Sequence, residues 1–219
     1  AETLFRQWFV EEAEEGWEEI TLSDIADHVK LSINPIKQPS TLFEHYSIPA
    51  FDEGQEPKRE LGSEIRSNKY RVLSNTILVS KLNPRTPRVW SVYGEVNEDS
   101  SICSTEFQVV KPKRSDYFGF IYCYLKSWNV MQELANAVGG TSGSHQRVNP
   151  EDIFNLTLRR PSLDKFKKFE CLTNDYWEKI SRNKKQIRTL TRLRDTLLPK
   201  LMSGEVRVKD VEKLVEAAS

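Results

Sequence analysis

The clearest hydrophobic pattern in this chain is a helical seam near its C-terminal end. Positions recur there at spacings of three, four or seven residues, and they are Tyr176, Ile180, Asn183, Ile187, Leu190, Leu197 and Leu201. This spacing predicts a long helix that pairs with another helix, as in a coiled coil. Ser162 is placed to cap the start of that helix, and Ser203 and Gly204 follow its end. Asn183 lies either at the wet edge of the seam or inside it, where it would fix helix register.

The residues before the seam alternate between short strands and short helices. Leu4, Phe5, Trp8 and Phe9 predict a short amphipathic helix over residues 2–13. Strand patterns cover residues 46–51, 69–73, 76–82, 88–93, 105–110 and 155–158. The order predicts an α+β fold: a globular domain of mixed β-sheet and short helices, followed by one long coiled-coil-forming helix.

Charge is distributed unevenly, although the formal net charge of the 219 residues is zero. Residues 1–64 carry five Lys/Arg and fifteen Asp/Glu, which leaves a net +10 for the remaining 155 residues. Residues 66–94 hold six basic residues and no acid, and residues 179–200 hold eight basic residues and one acid. Such asymmetry can indicate a nucleic-acid face, but a charge run is more often a solvated surface.

The composition argues against a secreted or membrane protein. Cys103, Cys123 and Cys171 are widely spaced and odd in number, which fits a reducing cytosol better than a disulfide framework or a zinc site. No apolar run is long enough to span a bilayer, and the first residues are acidic rather than basic and apolar. We therefore expect a cytoplasmic protein that has no membrane partner.

No pattern in the chain indicates catalysis. It contains no glycine-rich nucleotide loop, and His28, His45 and His145 are scattered without metal-ligand spacing. The Asn-Pro dipeptides lack the second proline and the aromatic residue expected of an amino-methyltransferase. We therefore expect no catalytic residue, no metal site and no cofactor.

Two segments carry side chains suited to DNA. Residues 81–88 (KLNPRTPR) form a proline-stiffened loop, and residues 141–147 (TSGSHQR) form a polar loop beside several glycines. Arginine and lysine suit guanine, asparagine suits adenine, and each can instead bind a phosphate. The alternative is that both are ordinary exposed polar loops. The candidate DNA-binding residues are Lys69, Lys81, Asn83, Arg85, Arg88, Ser142, Ser144, His145 and Arg147.

Several sequence blocks, taken in order, resemble one known family. They are AETLFRQWFVEE at residues 1–12, EGWE and ITLSDI at residues 15–25, SKLNPR at residues 80–85, GTSGSHQRV at residues 140–148 and RTLTRLRDTLLPKLMSGEVRV at residues 188–208. These blocks resemble those of the specificity subunits of type I restriction–modification systems. A full specificity subunit has two target-recognition domains and two long helices, whereas this chain has one domain, one long helix and the end of another.

The resemblance implies a division of labour along the chain. Residues 1–15 would be the end of a central helix, 16–160 a target-recognition domain, 161–203 a conserved docking helix and 204–219 a tail. The implied partners are double-stranded DNA, methyltransferase (modification) subunits and, through these, restriction subunits, with methylation and cleavage belonging to the partners. A half-subunit of this kind is expected to form a homodimer through its long helix. The alternative is a non-catalytic coiled-coil scaffold with little affinity for DNA.

Overall fold

Short strands and helices precede one long helix. The computed structural model describes residues 1–138 and 146–205. The strands are β1 (Glu18–Thr21), β2 (Ala26–Val29), β3 (Ser32–Ile33), β4 (Leu42–Tyr46), β5 (Lys58–Leu61), β6 (Lys69–Arg71), β7 (Thr76–Ser80), β8 (Val89–Val92), β9 (Ser101–Ser104), β10 (Phe107–Pro112) and β11 (Thr157–Arg160). The α-helices are α1 (Glu2–Arg6), α2 (Leu22–Ile25), α3 (Ile48–Asp52), α4 (Phe118–Leu125), α5 (Trp128–Ala137), α6 (Pro150–Phe154) and α7 (Leu163–Met202). A π-helical turn, Gln7–Glu11, continues α1, and 3-10 turns cover Pro35–Lys37, Gly62–Glu64 and Ser115–Tyr117.

The strands form three sheets. One has the order β2-β10-β7-β8 and is antiparallel throughout. A second has the order β3-β6-β9-β4-β5, in which β4 and β9 run parallel and the other pairs antiparallel. β1 and β11 form a separate antiparallel pair. The predicted α+β fold with mixed sheet, short helices and one long helix is confirmed.

A hydrophobic core joins the two larger sheets. Trp90 of β8 is 1% exposed and lies with its ring 4.8 Å from Tyr46 of β4. Phe107 of β10 and Cys103 of β9 are fully buried in the same cluster. Because β9 and β10 are separated by only two residues, this core fixes the position of the turn between them, which carries part of the candidate site.

An aromatic cluster packs the first helix against α4 and the start of α7. Phe9 lies 4.9 Å from Phe120 and 5.1 Å from Phe169, and Phe120 lies 4.8 Å from Phe166. All four rings are buried. Aromatic pairs in tilted and edge-to-face contact stabilise beyond the area they bury. The N-terminal helix and the first turns of α7 therefore belong to the same core as the globular residues.

The chain divides into two compact units, of which the first is Ala1–Asp175 and the second begins at Tyr176. Helix α7 contributes to both. It begins where the sequence predicts, because the Ser162 hydroxyl accepts a hydrogen bond from the Lys165 amide at 3.3 Å. The domain limits drawn from the family resemblance stay a prediction.

No helix in the described part of the chain is long and apolar enough to cross a membrane.

One predicted strand is a helix. The sequence pattern predicts a strand over residues 46–51, but β4 ends at Tyr46 and α3 begins at Ile48. The Ser47 hydroxyl accepts a hydrogen bond from the Ala50 amide at 3.3 Å, and Pro49 lies in the first turn. A serine cap and a proline in the first turn both favour a helix start, and together they outweigh the apolar pattern.

We predict that Glu170 makes stability depend on pH near neutrality. Burial raises the pKa of its carboxyl from an ordinary value of 4.5 to about 7, although the Gly119 amide donates to it at 2.9 Å. A raised pKa favours the folded state fully below pH 4.5, and this advantage is lost as pH rises through 7. Glu170→Gln should therefore raise the free energy of unfolding at pH 8 by on the order of 1–2 kcal/mol, allowing for partial exposure, and change it little at pH 4.5.

Denaturant unfolding at both pH values checks this, with Glu133→Gln, an exposed acid on α5, as the matched control. An equal effect of Glu170→Gln at both pH values would contradict the assignment.

Candidate nucleic-acid interface

The ends of several strands meet at one edge of the two larger sheets. β7 ends at Ser80, which pairs with Phe107 at the start of β10. β8 begins at Val89, opposite Val79 of β7. In the other sheet, Ser104 at the end of β9 pairs with Lys69 at the start of β6. The segments at residues 66–68, 81–88 and 104–106 therefore lie at the same edge, and Arg66 and Asn68 are exposed there.

The structure pairs the 81–88 loop with residues 146–148, the described end of the second segment that the sequence singles out. Leu82 and Arg147 form an isolated antiparallel bridge. The Val148 amide donates to the Lys81 carbonyl at 2.9 Å, and the Asn83 amide donates to the Gln146 carbonyl at 3.0 Å. Segments 65 residues apart in sequence are thus held side by side. Ser142, Ser144 and His145 lie outside the described residues.

The loop at residues 81–88 has a defined turn at its centre. The Thr86 amide donates to the Asn83 carbonyl at 2.9 Å, with Pro84 and Arg85 between them. Asn83 has a φ of 47°, in the left-handed region that asparagine enters more readily than most residues. Pro84 is buried while Arg85 is exposed. The turn therefore presents Arg85 to solvent on a backbone restricted by proline.

Two of the predicted cations share one carboxylate. Arg147 Nη2 donates to Glu106 Oε1 at 3.0 Å, and Lys81 Nζ lies 3.8 Å from Glu106 Oε2. The side chain of Arg147 is 59% exposed, whereas that of Lys81 is 22% exposed. Glu106 lies in the turn between β9 and β10, and its carbonyl also accepts from the Lys81 amide at 2.9 Å. This pairing brings Lys81 and Arg147 into one cluster.

Arg88 is held by an acid on α3. Its Nε and Nη2 donate to the two carboxylate oxygens of Asp52 at 2.7 and 2.9 Å. This hydrogen bonding lowers the pKa of Asp52 and raises that of Arg88. A two-point arginine–carboxylate pair is directional and short. Arg88 therefore fastens the end of the loop to α3, and binding DNA would require it to give up this partner.

Lys69 is not part of the exposed surface. Lys69 is the first residue of β6 and is 7% exposed, and its ammonium donates to the Ser67 hydroxyl. Burial is the largest influence on its pKa, which is lowered. Lys69 thus hydrogen-bonds to the segment at residues 66–68 from the buried side, while the polar side chains of that segment are exposed to solvent.

Sequence reasoning missed Glu106 and Asp52, the two acids that organise the cations. The pattern predicts a strand that begins at Thr105, but Thr105 and Glu106 form the turn between β9 and β10. Glu106 lies 25 residues from Lys81 and 41 from Arg147, so no local pattern connects them. The available signal was the Ser104-Thr105-Glu106 sequence, three polar residues directly before the apolar part of the predicted strand.

The assembled edge presents hydrogen-bond donors to solvent. Its exposed cations include Arg66, Arg85 and Arg147, and Asn83 and Lys81 are half-buried. Guanidinium groups can donate two hydrogen bonds at once to guanine O6 and N7 or to a phosphate. Among residues 1–138 and 146–205, no group of three or more His, Cys, Asp or Glu could hold a metal ion. These donors suit an anionic partner that carries hydrogen-bond acceptors.

The second unit carries the predicted seam on α7. Tyr176, Ile180, Asn183, Ile187 and Leu190 are exposed, and Leu197 and Leu201 are half-buried. Leu190 is 62% exposed and Ile187 is 56% exposed, which is unusual for large aliphatic side chains. Their use as a helix interface stays a prediction.

Sequence comparison finds a curated relative that matches part of the chain. The chain is 38% identical over 92 residues to the type I restriction enzyme MjaIX specificity subunit of Methanocaldococcus jannaschii, a match that covers 42% of this chain and 20% of the relative. No protein-family model matches the chain.

Solved structures share the fold. The HsdS subunit of Thermoanaerobacter tengcongensis has a TM-score of 0.58 at 22% identity, over 86% of this chain and 48% of its own. A chain from a study of complex assembly and conformational transition in a type I R-M system has a TM-score of 0.58 at 23% identity. The match covers 87% of this chain and 49% of that chain. The type I S subunit of M. genitalium has a TM-score of 0.53 at 16% identity. The match covers 86% of this chain and 46% of that subunit. The chain therefore spans about half the length of these solved structures.

Proposed function

We propose that this chain, a relative of the specificity subunits of type I restriction enzymes, recognises a DNA sequence through the edge formed by its joined loops. The observation that carries the proposal is the bridge between Leu82 and Arg147. It brings together the two segments whose residue types suit DNA, although they are distant in sequence. Loops held by a rigid sheet scaffold are a common location for binding residues.

The charges at this edge favour a DNA partner over a neutral one. Arg85 and Arg147 are exposed, and the neighbouring segment adds exposed Arg66 and Asn68. Contacts to phosphates supply much of the affinity of DNA-binding proteins and make it fall with salt. Arginine and asparagine can also read base edges in the major groove. The same cluster can therefore supply both attraction and sequence discrimination.

The proposal assigns no reaction to this chain. Its exposed edge presents cations and amides, and the curated relative that matches part of it is named as a specificity subunit. Methylation and cleavage would then belong to methyltransferase and restriction subunits that the chain directs to one half of a divided DNA site.

The long helix suits assembly with a protein partner. Ile187 and Leu190 expose apolar area in the second unit, among many basic residues. An exposed apolar stripe of this kind is typical of an association surface. We propose that it binds the methyltransferase subunits or the same helix of a second copy. Pairing with a second copy would place two recognition domains in one particle, and this dimer would read a symmetric site.

The exposed stripe also supports a second candidate, a coiled-coil scaffold of such a complex with negligible DNA affinity. The two candidates differ in one property. A recognition module enriches particular sequences from a pool of duplexes, either alone or assembled with modification subunits, whereas a scaffold enriches none in either state.

We predict that Arg85→Ala together with Arg147→Ala abolishes this enrichment. Each arginine that reads a base should contribute on the order of 1–3 kcal/mol to discrimination, and one that binds a phosphate should contribute to the salt dependence instead. Selection from a randomised duplex library, followed by fluorescence anisotropy at several salt concentrations, measures both effects.

The matched control removes two arginines elsewhere, Arg59→Ala with Arg160→Ala, whose partners are the surface acids Glu44 and Glu18. Equal enrichment by wild type and the Arg85/Arg147 variant would reject this placement of the DNA site. Thermal unfolding of all three proteins establishes that each is folded.

We predict that Ile187→Asp or Leu190→Asp disrupts association through the long helix. A carboxylate in an apolar helix interface would lose hydration without gaining a partner, which costs several kcal/mol. Sedimentation at micromolar concentration should show a dimer of the 25.4 kDa chain, or a complex with modification subunits, that is lost in both variants.

An exposed position on the side of α7 away from the seam provides the control for this measurement, and Thr189→Asp is one such change. A wild-type chain that remains monomeric and binds no modification subunit would refute the role of the helix.

A further inference from the structure

Glu106 lies at the centre of the candidate DNA surface. The proposed function gives this residue no role. It lies in the turn between β9 and β10, and the Ser104 hydroxyl accepts a hydrogen bond from its amide at 3.2 Å. One carboxylate oxygen accepts from Arg147 at 3.0 Å, and the other lies 3.8 Å from the Lys81 ammonium. One acid thus contacts a cation from each of the two joined loops.

The arrangement is not the one that would stabilise the fold most. Glu106 Oε2 is buried and accepts no hydrogen bond from the described residues, and the distance to Lys81 is that of an ion pair without one. Buried polar atoms are normally hydrogen-bonded, and a native exception calls for a functional explanation. A carboxylate buried in this way loses part of its hydration. It also holds two long cationic side chains in place.

We propose that Glu106 is a positioning residue that determines specificity, and this inference rests on the proposed DNA-binding function. Its carboxylate fixes Lys81 and Arg147 relative to each other before DNA arrives. One of the five N–H donors of Arg147 is directed to Glu106, which leaves others for a base or phosphate. Only DNA that matches the fixed geometry makes the full set of hydrogen bonds.

The negative charge of Glu106 also acts against indiscriminate binding. It partly offsets the attraction of Lys81 and Arg147 for phosphates, which any DNA sequence supplies. A like charge near the DNA backbone lowers affinity for every sequence, and the fixed donors offset this loss only for the matching one. The two effects together raise the ratio of specific to non-specific binding.

Two substitutions separate the charge of Glu106 from its position. Glu106→Gln keeps the length and removes the charge, so non-specific affinity should rise and the selectivity ratio should fall by about tenfold or more. The slope of log affinity against log salt should steepen by about 0.9 for each additional phosphate that the protein neutralises. Glu106→Asp keeps the charge but shortens the side chain, so selectivity should fall while non-specific affinity and the salt slope stay unchanged.

The experiment uses the full chain assembled with modification subunits, in wild-type, Glu106→Gln, Glu106→Asp and Glu18→Gln forms. Glu18 pairs with Arg160 at 3.9 Å on the two-stranded sheet and serves as the control for loss of one charge. Each protein is measured against a duplex enriched by the wild type from a randomised library and against a scrambled duplex of the same composition. Thermal unfolding verifies that the variants fold.

The outcomes distinguish this inference from the function on which it rests. Selective wild-type binding that Glu106→Asp loses and Glu18→Gln retains supports the positioning role. Selective wild-type binding that Glu106→Gln and Glu106→Asp both retain overturns that role and leaves the proposed function standing. A wild-type complex that binds both duplexes equally overturns the proposed function and this inference together.

Discussion

The candidate site depends on a short stretch of antiparallel backbone pairing between Leu82 and Arg147. Its hydrogen bonds, Val148 to Lys81 and Asn83 to Gln146, hold two loops together that are remote in sequence. Without this pairing, the cations of the two loops would belong to separate surfaces. Backbone hydrogen bonds suit this task because they align the two segments without using any side-chain donor.

The core beneath the edge explains why loops can carry precise geometry. Trp90, Tyr46 and Phe107 pack between the two larger sheets, and the turn that bears Glu106 connects strands from both. Asp52 on α3 holds Arg88 with two hydrogen bonds, so the far end of the 81–88 loop is fastened as well. The scaffold therefore limits how far the exposed donors can move, which reduces the entropy lost on binding.

Local signals in the sequence predicted the fold class and several of the elements, but not the contacts between them. The α+β fold, the cap at Ser162 and the polar character of residues 81–88 follow from spacing, capping and residue type. The roles of Asp52 and Glu106 do not, because each lies 25 or more residues from the cations that it holds, and only the folded sheets bring them together. Helix α3 was missed because a serine cap and an early proline outweighed an apolar pattern of strand type.

The central claim is that the joined loops form one DNA-reading surface, and photochemical cross-linking tests it most directly. Duplexes from a randomised library that carry a photoreactive thymine analogue would be bound by the chain assembled with modification subunits, and the cross-linked peptides identified by mass spectrometry. The account predicts cross-links within residues 81–88 and around Arg147 in the same complexes. Cross-links confined to other parts of the chain, with both loops unmodified, would contradict it.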